Sequence, residues 1–267
     1  MFAVRFAVSA ALVLGLVCLI ACKGKDDDEQ KAGNTNSSEQ TPQQPGLVAD
    51  DDDENPAEVN APTPEQSAPL QAAGRQLTYN FDSDSSGQLP QRFHSAITGS
   101  GSESKWTVMA DPSAPSKPNV VAQTSTDQTD YRFPLLIADE GSFRDLDLTV
   151  RFKAVAGSID RAGGLVFRLR DPNNYYIVRA NALENNYRLY HVVSGRRSQF
   201  AGANFKVTSG EWHELRIEAV GNKVACYYDG TKKIEATDDT FKDAGKVGLW
   251  TKADSVTYFD DLKVTAR

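Results

Sequence analysis

The sequence predicts an all-β domain built as a two-sheet antiparallel sandwich, and three observations support this prediction. Apolar and polar residues alternate over many short segments, such as 146–155, and this is the period of a strand with one buried face. Turn-forming pairs such as Asp171-Pro172 and Asp229-Gly230 separate these segments. No segment of the domain has a convincing helical period. About thirteen short strands at regular spacing are typical of a sandwich.

The predicted domain covers residues 77–267, and its strands follow from the alternation and from the turns between the runs. Strands are predicted at residues 77–81, 106–109, 120–123, 131–137, 146–155, 165–170, 175–181, 187–193, 212–218, 224–228, 232–236, 247–251 and 256–264. A domain of about 190 residues buries roughly 70% of its unfolded surface, which is enough for one core without disulfides. Cys226 lies in the middle of a predicted strand, so we expect it to be a packed apolar residue.

The charge of the chain is concentrated outside this domain. Residues 23–76 contain four basic and twelve acidic residues, six of the twelve prolines and no aromatic residue. This composition predicts a disordered tether. Residues 77–267 contain 24 basic and 24 acidic residues. A domain without net positive charge has no electrostatic footprint for nucleic acid, so we expect no nucleic-acid partner.

The N-terminus has the pattern of a secretory signal peptide. Arg5 precedes an almost unbroken apolar run over residues 7–20, a length that suits a signal-peptide core. The run ends in Leu19-Ile20-Ala21-Cys22, which resembles the lipobox of bacterial lipoproteins. The resemblance implies cleavage before Cys22 and acylation of its thiol and amine, which would anchor residues 22–267 to a membrane. The alternative is an uncleaved anchor helix.

The residue after this cysteine bears on the location of the protein. Lys23 stands where inner-membrane lipoproteins of Gram-negative bacteria carry Asp. By resemblance to that sorting rule, we expect a lipid-anchored protein of the bacterial cell envelope, at the outer membrane.

The domain resembles the concanavalin A-like (LamG-like) lectin/glucanase superfamily, and more closely the bacterial family formerly called DUF1080, now linked to 3-keto-disaccharide hydrolases. The residues that carry the resemblance are Ala162-Gly163-Gly164-Leu165-Val166-Phe167-Arg168, Asn174-Tyr175-Tyr176-Ile177-Val178-Arg179, Gly210-Glu211-Trp212-His213, Tyr228-Asp229-Gly230, Gly245-Lys246-Val247-Gly248-Leu249-Trp250 and Phe259-Asp260-Asp261. It extends over nearly all of residues 77–267. The resemblance implies a jelly-roll sandwich, but this fold serves lectins, hydrolases and adhesion domains alike.

The candidate binding site follows from the parity of residues along the predicted strands, because side chains at alternate positions point to the same face of a sheet. Residues of one parity would collect on a single sheet face, which is the concave face in sandwiches of this type. The predicted ligand-binding residues are Arg168, Arg179, Asn181, Arg188, Tyr190, Trp250 and Lys252. Aromatic rings stack on sugar rings, and Arg, Asn and Lys donate hydrogen bonds to hydroxyl groups. The alternative is a solvated sheet face with cross-strand pairs.

A structural calcium site is a second hypothesis, and we predict no other cofactor. Asp82 begins a loop with oxygen-bearing side chains at alternate positions, and Asp260 shares parity with core residues of the last strand. Members of the superfamily often hold one calcium ion with an Asp from the final strand. The alternative is an Asp- and Ser-rich turn beside an Asp260 that is hydrogen-bonded to the backbone.

The chemistry of the domain stays open at this stage. The Glu-x-Asp-x-x-Glu pattern of retaining β-glucanases is absent from the sequence, and the catalytic residues are unknown. We expect a carbohydrate-binding domain with a sugar as its partner. The alternatives are a hydrolase that abstracts a proton from a 3-keto-glycoside, as the resemblance implies, and a structural or interaction module of the envelope.

Overall fold

The computed structural model describes residues 73–267, so the predicted signal peptide, Cys22 and nearly all of the predicted tether lie outside the described residues. Fifteen strands and no α-helix make up the described part. The strands are β1 (Gln76–Tyr79), β2 (Phe93–Gly99), β3 (Trp106–Ala110), β4 (Asn119–Gln123), β5 (Arg132–Ala138), β6 (Leu146–Ala156), β7 (Ala162–Asp171), β8 (Asn174–Asn181), β9 (Asn186–Val193), β10 (Arg196–Asn204), β11 (His213–Val220), β12 (Lys223–Tyr228), β13 (Thr231–Thr237), β14 (Lys246–Trp250) and β15 (Val256–Ala266). Within this range, no helix is long and apolar enough to cross a membrane.

The strands form two antiparallel sheets, which confirms the predicted all-β sandwich. The eight-stranded sheet has the order β13-β12-β11-β6-β15-β4-β3, and β1 also pairs with β15. The seven-stranded sheet has the order β10-β9-β8-β7-β14-β5-β2. All thirteen predicted strands are present, whereas β2 and β10 were not predicted. These two strands are the edges of the seven-stranded sheet.

The main core lies between the two sheets and consists of the inward side chains of both. Leu148, Val150 and Phe152 of β6 alternate with half-buried polar residues, as the period-2 pattern predicts. Phe167 and Leu249 belong to the same core from the opposite sheet. Cys226 is a fully buried free cysteine in this core, and burial raises the pKa of its thiol. The prediction that Cys226 is a packed apolar residue is therefore confirmed.

A second apolar cluster lies on the face of the seven-stranded sheet that points away from the main core. Its buried members are Phe133, Leu135, Ile137, Ala162, Val166, Leu169, Tyr175, Ile177, Tyr190, Val192 and Trp250. All of them come from the seven-stranded sheet, so the strands at the centre of this sheet bury both faces. β5 and β8 accordingly contain near-continuous apolar runs rather than strict alternation.

This outer face is concave, as contacts between distant strands show. The hydroxyl groups of Thr98 on β2 and Tyr175 on β8 lie 2.8 Å apart. Three strands separate β2 from β8, so a flat sheet would keep the two backbones roughly 19 Å apart. In the same region the Tyr131 hydroxyl donates to the carbonyl oxygen of Gly195 at 2.7 Å. The seven-stranded sheet therefore curls towards its outer face, which we call the concave face.

Candidate functional site

Six of the seven predicted binding residues lie on or beside the concave face. Arg179 pairs in register with Arg188, and its Nη2 donates to the Tyr190 hydroxyl at 3.1 Å. Trp250 pairs with Gly164, which in turn pairs with Arg179. Gly164 has no side chain, so nothing on that position of β7 separates Arg179 from Trp250. The parity of the predicted strands therefore places these residues on one face, together with Asn181 and Lys252.

Arg168 does not belong to this group, and its prediction as a binding residue requires correction. A bulge interrupts the pairing of β7 with β8 after Phe167, and Arg168 has a φ of 47°, so the simple alternation ends there. The Arg168 side chain is buried and donates to the carbonyl oxygens of Arg144 at 2.8 Å, Phe241 at 3.0 Å and Gly221 at 2.6 Å. Arg168 therefore ties three loops together.

The binding residues are also more deeply buried than a binding platform would be. A binding platform would leave its residues partly exposed, but Arg179 is 4% exposed, Tyr190 6% and Trp250 0%. The Trp250 ring stacks on the Phe133 ring with centroids 5.4 Å apart and an interplanar angle of 23°. Trp250 is therefore part of the second apolar cluster and supports the concave face from within.

Asp160 is a residue of this face that the sequence analysis missed. It lies in the loop between β6 and β7 and is fully buried. Asn181 Nδ2 donates to Asp160 Oδ1 at 2.7 Å, and Lys252 Nζ lies 3.5 Å from Oδ2. Burial raises the pKa of the Asp160 carboxyl, while the positive charges of Arg179 and Lys252 oppose this shift. The result is a buried acid among cationic and amide groups.

The loop that presents Asp160 is held by a second carboxylate, Asp254. Asp254 accepts hydrogen bonds from the backbone amides of Ser158 at 2.7 Å, Ile159 at 3.0 Å and Asp160 at 3.0 Å, and from the Ser158 hydroxyl at 2.7 Å. Gly157 precedes this turn with a φ of 138°, a conformation that a residue with a Cβ rarely adopts. These contacts span the β6–β7 and β14–β15 connections, and no local sequence pattern indicates them.

Arg179 is the best-anchored cation of the site. Its Nη1 donates to Asn186 Oδ1 at 2.5 Å and its Nη2 to Glu184 Oε2 at 2.9 Å. Burial acts to raise the pKa of Glu184, but the Arg179 charge and the Asn186 amide outweigh it and lower that pKa. Glu184 is therefore an ionised carboxylate at the rim of the face.

Arg197 on β10 is a second residue that the sequence analysis missed. Its guanidinium carbon lies 4.5 Å from the ring centroid of Tyr190, 4.8 Å from that of Phe133 and 5.9 Å from that of Trp250. Because β10 was not predicted as a strand, Arg197 had no predicted face. Its side chain covers three aromatic rings of the second apolar cluster.

Several buried polar atoms on this face have no hydrogen-bond partner within residues 73–267. They are Asp160 Oδ2, Arg179 Nε, Arg197 Nε, Arg197 Nη1 and Trp250 Nε1. A buried polar atom without a hydrogen bond costs about 1–3 kcal/mol, so natural proteins leave few of them. These atoms keep a hydrogen-bonding capacity that no described residue uses.

The two carboxylates of the calcium hypothesis accept hydrogen bonds from the protein. Asp260 accepts from the backbone amide of Ser116 at 2.9 Å, from its hydroxyl at 2.9 Å, and from the amide of Asp261 at 2.7 Å. Asp82 accepts from the amide of Asn119 at 3.0 Å and from Asn80 Nδ2 at 2.9 Å. This is the backbone-bonded arrangement named above as the alternative. Among the described residues, no group of three or more His, Cys, Asp or Glu side chains forms a potential metal site.

The fold and the site together define a β-sandwich domain with polar side chains gathered on a concave sheet. The sequence model of the 3-keto-alpha-glucoside-1,2-lyase-like domain matches residues 95–265, and the chain belongs to this family. No curated protein matches the chain.

Solved structures with the same fold include the carbohydrate-binding module CBM66 from Bacillus subtilis, with a TM-score of 0.52 and 18% identity, over 64% of this chain and 95% of that one. Domain 4 of AbnA, a GH43 extracellular arabinanase from Geobacillus stearothermophilus, has a TM-score of 0.49 and 14% identity, over 73% and 94% of the two chains. A Bacillus subtilis protein with a galectin-like fold has a TM-score of 0.46 and 12% identity, over 65% and 90%. The CBM66 likeness concerns the fold alone.

Proposed function

We propose that the domain binds a carbohydrate on its concave face. The observation that carries this proposal is the convergence there of Asp160, Arg179 and Arg197, each of which has at least one buried polar atom without a hydrogen-bond partner within residues 73–267. Sugar hydroxyl groups both donate and accept hydrogen bonds, so one ligand can complete the carboxylate and the guanidinium groups together. The fold shared with a carbohydrate-binding module supports the same class of ligand.

The experiment is a comparison of glycan binding between the full chain and the variant Arg179→Lys. Lysine keeps the positive charge but cannot reproduce the forked contacts of Arg179 with Asn186 and Glu184. Hydrogen bonds to charged groups contribute about 1.5–3 kcal/mol each, so we expect at least a tenfold loss of affinity. Arg216→Lys is the matched control, because Arg216 pairs with Asp147 on the eight-stranded sheet.

A second variant separates binding from folding. Tyr190→Phe removes only the hydroxyl group that accepts from Arg179 and leaves the ring in the second apolar cluster. We expect weaker glycan binding with an unfolding midpoint close to that of the unsubstituted chain. Unchanged binding in both Arg179→Lys and Tyr190→Phe, or no glycan bound by any form, would contradict the proposal.

Elimination on a 3-keto-glucoside is the second candidate function, favoured by family membership and by the Asp160 carboxyl. A base would take the C2 proton, which the 3-keto group acidifies. A C1–C2 double bond would form as the C1–O bond breaks, and the leaving oxygen would take up a proton. A carboxylate whose pKa is raised by burial is a stronger base than an exposed one. We expect Asp160→Asn to abolish release of the leaving alcohol, and an unchanged rate would exclude Asp160 as the base.

We further propose that acylated Cys22 anchors the protein in the bacterial envelope, at the outer membrane. The lipobox-like sequence before Cys22 and Lys23 after it support this proposal. A Cys22→Ser variant should accumulate as an uncleaved precursor that keeps the apolar run over residues 7–20 and takes up no acyl probe. Labelling of the variant equal to that of the unsubstituted chain would contradict the anchor.

A further inference from the structure

Three of the four cations of the concave face have acceptor groups as partners, and Arg197 is the exception. Arg179 pairs with Glu184 at 2.9 Å, and Lys252 pairs with Asp130 at 2.7 Å. Arg188 donates to Asn204 Oδ1 at 2.6 Å and to the Ala203 carbonyl oxygen at 2.8 Å. Within residues 73–267, the Arg197 side chain has neither a carboxylate partner nor a hydrogen-bond acceptor of any kind.

The aromatic rings around Arg197 compensate only in part for the missing partner of its guanidinium group. Tyr190, Phe133 and Trp250 attract the guanidinium through the negative faces of their rings. Rings accept no conventional hydrogen bond, so Nε and Nη1 keep their hydrogens without an acceptor in the described part of the chain. A guanidinium in this state gains most from a ligand oxygen that carries negative charge, because charge-assisted hydrogen bonds are the stronger ones.

The charge balance of the face points in the same direction. Four cationic side chains, Arg179, Arg188, Arg197 and Lys252, face three carboxylates, Asp130, Asp160 and Glu184. One positive charge is left over when all three carboxylates are ionised. A neutral sugar would leave the excess uncompensated.

We propose that the ligand of the concave face is a sugar with a single negative charge, a uronic acid, whose carboxylate binds Arg197. This inference rests on the proposed carbohydrate-binding function and names the class of sugar. The carboxylate pairs with the guanidinium of Arg197, and the sugar ring lies over the neighbouring residues of the concave face.

The test compares ligands that differ only in charge. The methyl glycosides of galacturonate, glucuronate and mannuronate, each with one negative charge, are titrated into the full chain by calorimetry, beside their methyl esters, which keep the sugar ring and remove the charge. We expect one of the acids to bind at least tenfold more tightly than its ester. We also expect the preference to shrink as salt is raised, since screening weakens partly exposed ion pairs.

The variant Arg197→Gln tests whether Arg197 causes the preference for the acid over its methyl ester. Glutamine keeps hydrogen-bond donors and removes the charge, so we expect acid and ester to bind Arg197→Gln equally. Arg196→Gln is the matched control, because Arg196 is the exposed neighbour on the same strand. The unfolding midpoints of both variants are measured alongside, so that a loss of folding is recognised.

The outcomes distinguish this inference from the proposed function. Tighter or equal binding of the esters, or of a neutral glycan from an array, would overturn the uronic acid and leave carbohydrate binding intact. A preference for the acid that persists in Arg197→Gln would overturn the role of Arg197. Absence of binding by every charged and neutral glycan would overturn both the inference and the proposed function.

Discussion

Truncation of Trp250 to alanine tests whether this residue supports the concave face or forms its surface. Trp250 lies on β14, between β7 and β5 near the centre of the seven-stranded sheet, and is fully buried. Its ring stacks on Phe133 and lies under the guanidinium of Arg197. A ligand-stacking tryptophan would have one free ring face, whereas a packed one has lost its solvent contact before any ligand binds.

The expected loss of stability follows from this burial. A tryptophan buries roughly 200 Å² of surface, and at about 25 cal/mol per Å² this corresponds to about 5 kcal/mol. Alanine retains part of that area, whereas loss of the stacked pair adds about 1 kcal/mol. We therefore expect Trp250→Ala to reduce the free energy of unfolding by about 3–5 kcal/mol, the range for buried tryptophan truncations. This is a large share of the roughly 5–15 kcal/mol of a typical domain.

Urea unfolding followed by circular dichroism measures this loss. Trp212→Ala is the control, since Trp212 is half-buried beside Lys153 on the eight-stranded sheet and should cost about 1–2 kcal/mol. Trp250→Phe keeps an aromatic ring against Phe133 and should cost less than Trp250→Ala. A loss below about 1 kcal/mol for Trp250→Ala, combined with a large loss of glycan affinity, would refute the packing argument and restore Trp250 as a binding platform.

Three further variants test contacts that hold the fold and the site in place. Burial raises the pKa of Asp260 to about 6, above the 3.8 of the unfolded chain, so its contribution to stability should fall by about 2–3 kcal/mol between pH 4 and pH 6. Asp260→Asn should flatten the stability profile measured by urea unfolding in that window, and an unchanged profile would contradict this. Gly157→Ala would bring a Cβ to 1.8 Å from the Asp160 carbonyl oxygen, so it should displace the β6–β7 loop and lower the free energy of unfolding by more than about 2 kcal/mol. Full stability and unchanged glycan binding of this variant would refute the steric argument. Arg168→Met would leave three loop carbonyl oxygens without their donor and should cost about 3–5 kcal/mol, compared with less than about 1 kcal/mol for Arg170→Met at the exposed end of β7.

The alternation of side chains predicts the sandwich and most of its strands, but it does not predict the two edges of the seven-stranded sheet. β2 has exposed or half-buried residues at most positions, and β10 is exposed or half-buried throughout. An edge strand has a neighbouring strand on one side only and is less buried, so its sequence need not alternate between apolar and polar residues. Because β10 was missed, the position of Arg197 over the aromatic rings could not be predicted.

Alternation also fails to predict exposure on the concave face, although it correctly groups Arg179, Arg188 and Tyr190. Parity separates the two faces of a strand without revealing whether the second face is open to solvent. The consecutive apolar residues Tyr175-Tyr176-Ile177-Val178 are all buried, which is the sequence signature of a strand covered on both faces. Bulges are not predicted by alternation either, and the bulge in β7 after Phe167 turns Arg168 away from the face that its parity predicts.

The acid of the site depends on contacts that no local pattern contains. Asp160 is positioned by Asp254, which is distant in sequence and reaches the β6–β7 loop only because β14 and β7 are neighbours in the sheet. Asn181 at the end of β8 then orients the Asp160 carboxyl from the other side of β7. Three separate parts of the chain thus place one carboxylate, and both its burial and its raised pKa follow from their assembly. A functional carboxylate of this kind is therefore invisible to sequence periodicity, even where the periodicity predicts the strands that surround it.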